Sequence, residues 1–240
     1  MVTEQRLTQV FVELADTLVD EFDALDFLST LTDRSVELLG ADAAGVILKD
    51  LRGGMQVVAS TSDKVKLLEL FELQNQEGPC LDCVQSGRAV VNVDVATAAA
   101  RWPRFTAAAA EVGFQTAHAI PLRLRDSVVG AMNLFYASPT DLDSGEVALG
   151  QALADVATIG LLQERAVRES SLIAEQLQTA LNSRILIEQA KGVLMARSDV
   201  DVDQAFRLIR SYSRRTNQPL RLVAGAVIAG ELDASELEGE

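Results

Sequence analysis

The side chains best suited to chemistry are cations near the end of the chain: Arg184, Lys191, Arg207, Arg210, Arg214 and Arg215. Ammonium and guanidinium groups at helical spacing suit phosphate binding, and a guanidinium plane also stacks on flat rings. Between Leu181 and Arg221 eight basic residues stand against four acidic ones, a local excess of +4 in a chain of formal charge −14, so the remainder carries −18. A surface so acidic overall repels polyanions, and any phosphate-binding face is therefore confined to this segment. The alternative is that these arginines decorate solvated helix faces.

Other reactive types are sparse. Cys80 and Cys83 are the only cysteines, which excludes a secreted disulfide scaffold. Their spacing would suit a redox pair or half a metal site, but no further Cys or nearby His completes one, and they are read as reduced structural thiols. His118, the sole histidine, falls in an expected strand and is read as packed or surface rather than catalytic. Trp102 could line a pocket, with aromatic packing the safer reading. With no Gly-rich phosphate loop and no nucleophile elbow, no catalytic residue and no metal ligand are assigned, and cofactor and ligand-binding residues stay unknown.

The elements that must position these groups follow from periodicity. Leu7, Val10, Phe11, Leu14 and Leu18 predict an amphipathic helix over about Thr3–Asp20, and a second runs from the cap Asp23 to Gly40. Apolar runs at 43–48 and 55–60 flank Asp50-Leu51-Arg52-Gly53-Gly54 as a hairpin would. A helix at 64–73 is broken by Gly78-Pro79, a strand follows at 89–93, and an Ala-rich helix spans roughly 98–111. Segments 117–124 and 128–136 flank Arg125-Asp126-Ser127 as a second hairpin.

From Leu161 to Arg197 the only glycine is Gly192, which allows a nearly continuous helix of about 37 residues. Ile173, Leu177, Ala180, Arg184, Ile187, Lys191 and Leu194 alternate by four and three along it, a seam for a two-stranded coiled coil or for intrachain packing. Asp201 and Gln204 form a capping box opening a helix through Asn217, whose face Ala205, Leu208, Ile209 and Tyr212 is buried while the arginines point away. Pro219 opens a short third helix ending at Gly230.

Residues Ala180 to Arg197, with Arg184 and then Ile187-Glu188-Gln189-Ala190-Lys191-Gly192 as their core, closely resemble the first helix of the ANTAR family. Ala205-Phe206, Leu208-Ile209-Arg210, Ser211, Asn217 and Leu220-Arg221-Leu222-Val223-Ala224 continue the likeness. Upstream, the stretch Ala119 to Phe135, with Pro121-Leu122 and Gly130-Ala131-Met132-Asn133, resembles the GAF family of sensor domains. Glu77-Gly78-Pro79-Cys80-Leu81-Asp82 and Arg101-Trp102-Pro103-Arg104-Phe105 are similar to GAF domains that accompany ANTAR modules.

The resemblance implies an α+β fold: a GAF-like antiparallel sheet flanked by helices, then a long helix and a three-helix ANTAR module. It divides the chain into a sensor at 1–163, a helical coiled-coil connector at 164–179, an RNA-binding domain at 180–232 and an acidic tail at 233–240. It implies a cytoplasmic homodimer that binds RNA stem-loops in nascent leader transcripts and so prevents terminator formation, under control of a small-molecule ligand or an upstream signalling protein. The six cations named first are its candidate RNA contacts. Gly192 is read as a close approach of the third helix, or as a close approach of RNA. The rival readings are a DNA-binding regulator, disfavoured because residues 222–230 are nearly uncharged, and a signalling protein that binds a partner without nucleic acid. No membrane-spanning segment is expected, since neither 127–140 nor 222–230 approaches the ~20 apolar residues that spanning needs.

Overall fold

The apolar runs at 43–48 and 55–60 become β1 (Ala43–Lys49) and β2 (Met55–Ser60) in the computed structural model, which describes residues 3–18, 22–50 and 53–239. Their turn is closed by the Asp50 N–H donating to the Gly54 carbonyl at 2.8 Å; Leu51 and Arg52 lie outside the described residues. The second hairpin is β4 (Thr116–Leu124) and β5 (Ser127–Tyr136), and β3 (Val90–Asp94) pairs with β4. All pairings are antiparallel, in the order β2-β1-β5-β4-β3.

Helices cover both faces, which is why the central strands β1 and β5 are buried almost end to end. On one face lie α1 (Glu4–Asp16), capped by Thr3, and α2 (Ala24–Leu39), capped by Asp23 and closed by Gly40 at φ +65°. Leu153, Ala154, Ala157 and Leu161 from the start of α6 (Ser144–Arg197) complete that core. On the other face lie α3 (Asp63–Asn75), α4 (Pro79–Ser86) and α5 (Pro103–Glu111). α1 stops at Asp16 rather than Asp20, and residues 19–21 lie outside the described set.

Three elements differ from expectation. Gly78-Pro79 does break α3, but Pro79 then occupies the first turn of α4, where its missing N–H costs nothing. The Ala-rich helix is split into a 3-10 turn at Ala98–Ala100 and α5, because Pro103 disfavours the helical region at Trp102 (φ −135°, ψ 69°). And α6 begins at Ser144, well before Leu161: Gly150 and Gly160 are inside it, and a Cβ at Gly160 would meet Leu18 Cδ2 at 2.5 Å.

The chain divides into two compact units, 1–165 and 166–240. In the second, Ala190 and Leu194 of α6 pack with α7 (Val202–Thr216) and α8 (Leu220–Ala229) around Ala205, Ile209, Val223, Ala224 and Val227. The Asp201–Gln204 capping box forms as expected, and Gly230 closes α8 at φ +79°. The acidic tail adds a short helix, α9 (Ala234–Glu238), with its own Asp233–Glu236 box and a wholly buried Leu237.

The heptad-like series in α6 thus has two fates. Ile173, Leu177 and their neighbours Val167, Leu172, Leu181 and Ile185 are exposed, each by more than half, whereas Ile187 and Leu194 pack within the chain. An 18-residue window of α6 has mean hydropathy 1.3, enough by length and composition alone to cross a bilayer, a test that the core helix of a globular protein also passes; 39% of that window is buried inside the protein.

Candidate nucleic-acid interface and sensor interior

The capping box fixes the start of α7 and hence its phase: with Ala205 and Ile209 turned into the core, Arg207, Arg210 and Arg214 fall at i, i+3 and i+7 on the opposite side. All three are exposed and, among the described residues, none makes an ion pair or hydrogen bond. An arginine stripe with no acidic partner is unusual on so acidic a chain, where counter-charges abound. Arg184, on α6, is likewise exposed and unpaired; the alternative bridge from Arg184 to Glu188 does not form, because Glu188 pairs with Lys191 at 2.6 Å.

Lys191 is mostly buried, its side chain 14% exposed, and its ammonium lies 6.0 Å from the centre of the Phe206 ring. This joins α6 to the second turn of α7 and sets a half-exposed aromatic beside the arginine stripe, a platform on which an unstacked base could lie. Phe206 escaped the sequence reading because it was taken only as part of a motif. Arg215 stands apart from the other five. Its guanidinium donates to the carbonyls of Glu236, Leu237 and Glu238 and rests 5.3 Å from the Tyr212 ring, so it caps α9.

Gly192 is exposed, and a Cβ built there meets nothing within 4 Å. The packing explanation is therefore overturned: among the described residues no neighbouring helix approaches it. A mid-helix glycine costs about 1 kcal/mol relative to alanine, and here no close contact among the described residues offsets it.

In the sensor interior, Trp102 is packed, edge-on to Phe105 and beneath Arg101. His118 is buried: its Nδ1 accepts the Asn92 N–H at 3.0 Å, its ring sits edge-on to Tyr136, and burial lowers its pKa to about 4. Cys80 and Cys83 are free and buried, and burial pushes the Cys83 thiol up to about 12 and Cys80 well above its ordinary value. Neither is poised as a thiolate nucleophile. No cluster of three or more His, Cys, Asp or Glu able to hold a metal occurs among the described residues.

Two carboxylates were missed altogether. Glu69 and Glu72 of α3 are wholly buried; Asn133 Nδ2 donates to Glu69 at 2.7 Å, and burial raises Glu69 to about 8. Separately, a cleft of about 800 Å³ opens beside β3, lined by Asp94, Thr106, Ala110, Gln115, Thr140 and Asp141 among others.

Comparison with known proteins places these features. The model of the GAF domain matches residues 23–162, and that of the ANTAR domain matches residues 175–228. Among solved structures, the GAF domain of a phosphoenolpyruvate-protein phosphotransferase from Coxiella burnetii aligns with a TM-score of 0.55 at 16% identity, over 70% of this chain and 99% of that one. The corresponding Acinetobacter domain gives 0.53 at 13%, over 69% and 98%. Free methionine-R-sulfoxide reductase from Neisseria meningitidis, solved with its substrate, gives 0.54 at 16%, over 70% and 96%. These likenesses establish the fold of the sensor unit. The curated proteins contain no match.

Proposed function

We propose, for a chain that belongs to the GAF-domain family and carries an ANTAR domain behind it, a signal-responsive regulator of transcription antitermination that binds RNA stem-loops in nascent leader transcripts. GAF domains are signal-sensing and ANTAR domains RNA-binding, and both are regulatory. The observation that carries the stem-loop reading is the exposed, unpaired stripe Arg207, Arg210 and Arg214, with Arg184 exposed on α6 and Lys191 beside Phe206. Arginine supplies both a phosphate cation and a plane for splayed loop bases. Arg215 contributes through α9 rather than by contact.

The DNA-binding alternative is disfavoured by α8, which would have to be the recognition helix: Val223, Ala224 and Val227 are buried and Arg221 is its only charge. Pairing of two copies through Val167, Leu172, Ile173, Leu177, Leu181 and Ile185 gives the homodimer its seam, since these exposed apolar side chains follow one another down α6 with no intrachain cover. The chain acts without catalysis, in the cytoplasm, in response to a small ligand or a signalling partner.

Competition binding of the full chain with RNA hairpins, single-stranded RNA and duplex DNA tests this. Retention of hairpins displaced by neither of the others supports it; preference for the duplex, or no retention of nucleic acid, overturns it in favour of the DNA-binding or the partner-binding alternative.

A further inference from the structure

The sheet face under α3 and α4 carries two separate apolar clusters, one containing Ala43 and Phe135, the other Ile47 and Ala131. Side chains alternate along a strand, so the position between these clusters on the same face is Gly45 on β1 and Asn133 on β5, which pair in register. α3 covers that position with acid rather than hydrocarbon. Its Glu69 and Glu72 are wholly buried, whereas its Leu67 and Leu70 are exposed. An amphipathic helix of ordinary polarity does the reverse.

The backbone is shaped around both carboxyls. A Cβ at Gly45 would stand 2.6 Å from Glu69 Cδ, and one at Gly78, which holds φ +144°, would stand 2.7 Å from Glu72 Cδ. The two side chains fill the space over these glycines, so the polar groups around them have only one another. Asn133 Nδ2 donates to Glu69 Oε1 at 2.7 Å, and the Cys80 thiol and N–H, from the first turn of α4, face Glu72. The other thiol of α4, Cys83, lies beside Cys80 and is held neutral by burial. β2 carries no ionisable side chain and β1 only Lys49 at its end. On α5, Arg104 is committed to Asn75 at 3.0 Å, and Glu111 lies at the opposite end of that helix. Among the described residues no cation pairs with either carboxyl.

Such a cluster closes on itself only while both acids keep their protons. Each carboxylic O–H then supplies a donor to the oxygens that Asn133 and Cys80 leave over. Removing either proton takes away a donor and leaves an anion beside a second acid in a core without a counter-charge. Burial, and for Glu72 also the neighbouring Glu69, raises both pKa values, outweighing the Asn133 and Cys80 donors that favour the anion.

We propose that α3 is a proton-operated latch: it stays on the sheet while Glu69 and Glu72 are both carboxylic acids, and lifts locally, with the sheet intact, when they ionise. The opening belongs to the sensor unit alone, and only its use as a signal rests on the function proposed above. Lifting brings the carboxylates to water and uncovers the Cys80 thiol, and it gives up the apolar contacts of Val65 and Leu68. Because Leu67 and Leu70 are already exposed, α3 has less apolar burial to lose than a helix of ordinary polarity. The closed state binds protons that the open state releases, so closure weakens as pH rises, by up to about tenfold per pH unit for each proton released.

The test is hydrogen exchange of the full chain, read by mass spectrometry on peptides covering α3 and β5 from mildly acidic to alkaline pH, each rate corrected for the intrinsic pH dependence of exchange. The expected result is a protection of 63–75 that falls as pH rises through about 8 while that of 127–136 falls less, the difference shrinking in both Glu69→Gln and Glu72→Gln. Constant protection of α3, a fall in step with β5, or an equal fall in both variants overturns the latch. Circular dichroism checks that the variants fold. If they do not, the parent chain decides: the infrared C=O stretch of protonated carboxylic acid must be present while α3 is protected and vanish as that protection falls. A band that is absent at the start, or that persists through the opening, overturns the latch. Retention of RNA hairpins is followed in the same samples. Opening of α3 with hairpin affinity unchanged refutes its use as a signal alone, whereas opening without hairpin retention at any pH refutes the RNA reading alone.

Discussion

Arg215 donates to the main-chain carbonyl of Leu237 at 3.2 Å, and the Leu237 side chain is wholly buried in the core of the C-terminal unit. The guanidinium thereby closes the end of α9, where the last carbonyls lack helical partners. Arg215→Ala is expected to destabilise that unit by about 1–3 kcal/mol through the orphaned carbonyls, and Leu237→Ala by about 2–4 kcal/mol through its cavity. Denaturation followed by circular dichroism should show the loss, while fluorescence of Trp102, the sole tryptophan and part of the sensor core, should not. If Arg215→Ala instead weakened hairpin binding as much as Arg210→Ala, with stability intact, Arg215 would belong to the RNA face.

The unpaired stripe predicts the opposite pattern. Alanine at Arg207, Arg210 or Arg214 removes an exposed side chain with no hydrogen bond or ion pair among the described residues, so stability should stay within about 0.5 kcal/mol. Each should weaken hairpin binding and reduce the salt dependence of log K by about one unit per lost phosphate contact. Salt titrations by fluorescence anisotropy read both quantities. A slope that stays at the parent value in all three variants would place these arginines on a merely solvated face.

Gly192 separates stability from binding. Because nothing lies within 4 Å of a Cβ there, Gly192→Ala should raise the stability of the C-terminal unit by about 1 kcal/mol, the helix-propensity difference. If the glycine persists so that RNA can approach the backbone of α6, the same substitution should lower hairpin affinity. A variant both more stable and equally tight would remove Gly192 from the interface.

How far these features could be read from sequence depended on whether the signal was local. The Asp23 and Asp201 caps, the Gly40 and Gly230 stops and both hairpins are written in residues adjacent to the element they bound, and they fold as expected. The start of α6 was not legible before Leu161 because a glycine that bounds a helix and one that admits a neighbouring leucine look alike along the chain; only the contact with Leu18 shows that Gly160 is of the second kind. Glu69 and Glu72 were invisible for a similar reason: charged residues in a helix normally mark its wet face, and nothing local announces that α3 turns these two inward over Gly45 and Gly78. The cationic face was legible as composition, but Arg215 could be told from Arg214 only once α9 was seen to fold.

Buried Glu69, Glu72 and His118 set the pH limits of the sensor unit. Glu69, raised by burial to about 8, stabilises the fold fully below the ordinary carboxylate range, and that contribution is lost as pH rises through about 8. His118, lowered by burial to about 4, contributes fully above the ordinary imidazole range and loses its contribution as pH falls through about 4. Stability measured by Trp102 fluorescence should therefore peak in mildly acidic solution and already be falling at neutral pH. Glu69→Gln should flatten the alkaline side and leave the acidic side unchanged. An alkaline limb equally steep in the variant would assign it to Glu72 and the buried thiols, whose raised pKa values act in the same direction.

The last prediction concerns how a signal could reach the RNA face. α6 begins against the sensor sheet, where Leu153, Ala157 and Leu161 are buried, and ends in the C-terminal core, where Ala190 and Leu194 are, with no Gly, Ser or Pro-rich break in the stretch between. A helix has two ways to carry information along such a stretch, a change of register against a partner copy or a change in whether the partner is held. Both require the exposed apolar side chains from Val167 to Ile185 to meet another helix. Leu177→Glu should convert a dimer to a monomer in sedimentation equilibrium without unfolding either unit, because that side chain is 61% exposed. A flexible Gly/Ser insertion near Glu169 should leave hairpin affinity measurable but uncouple it from any ligand of the sensor. Regulation that survived the insertion would mean that the helix only tethers the two units.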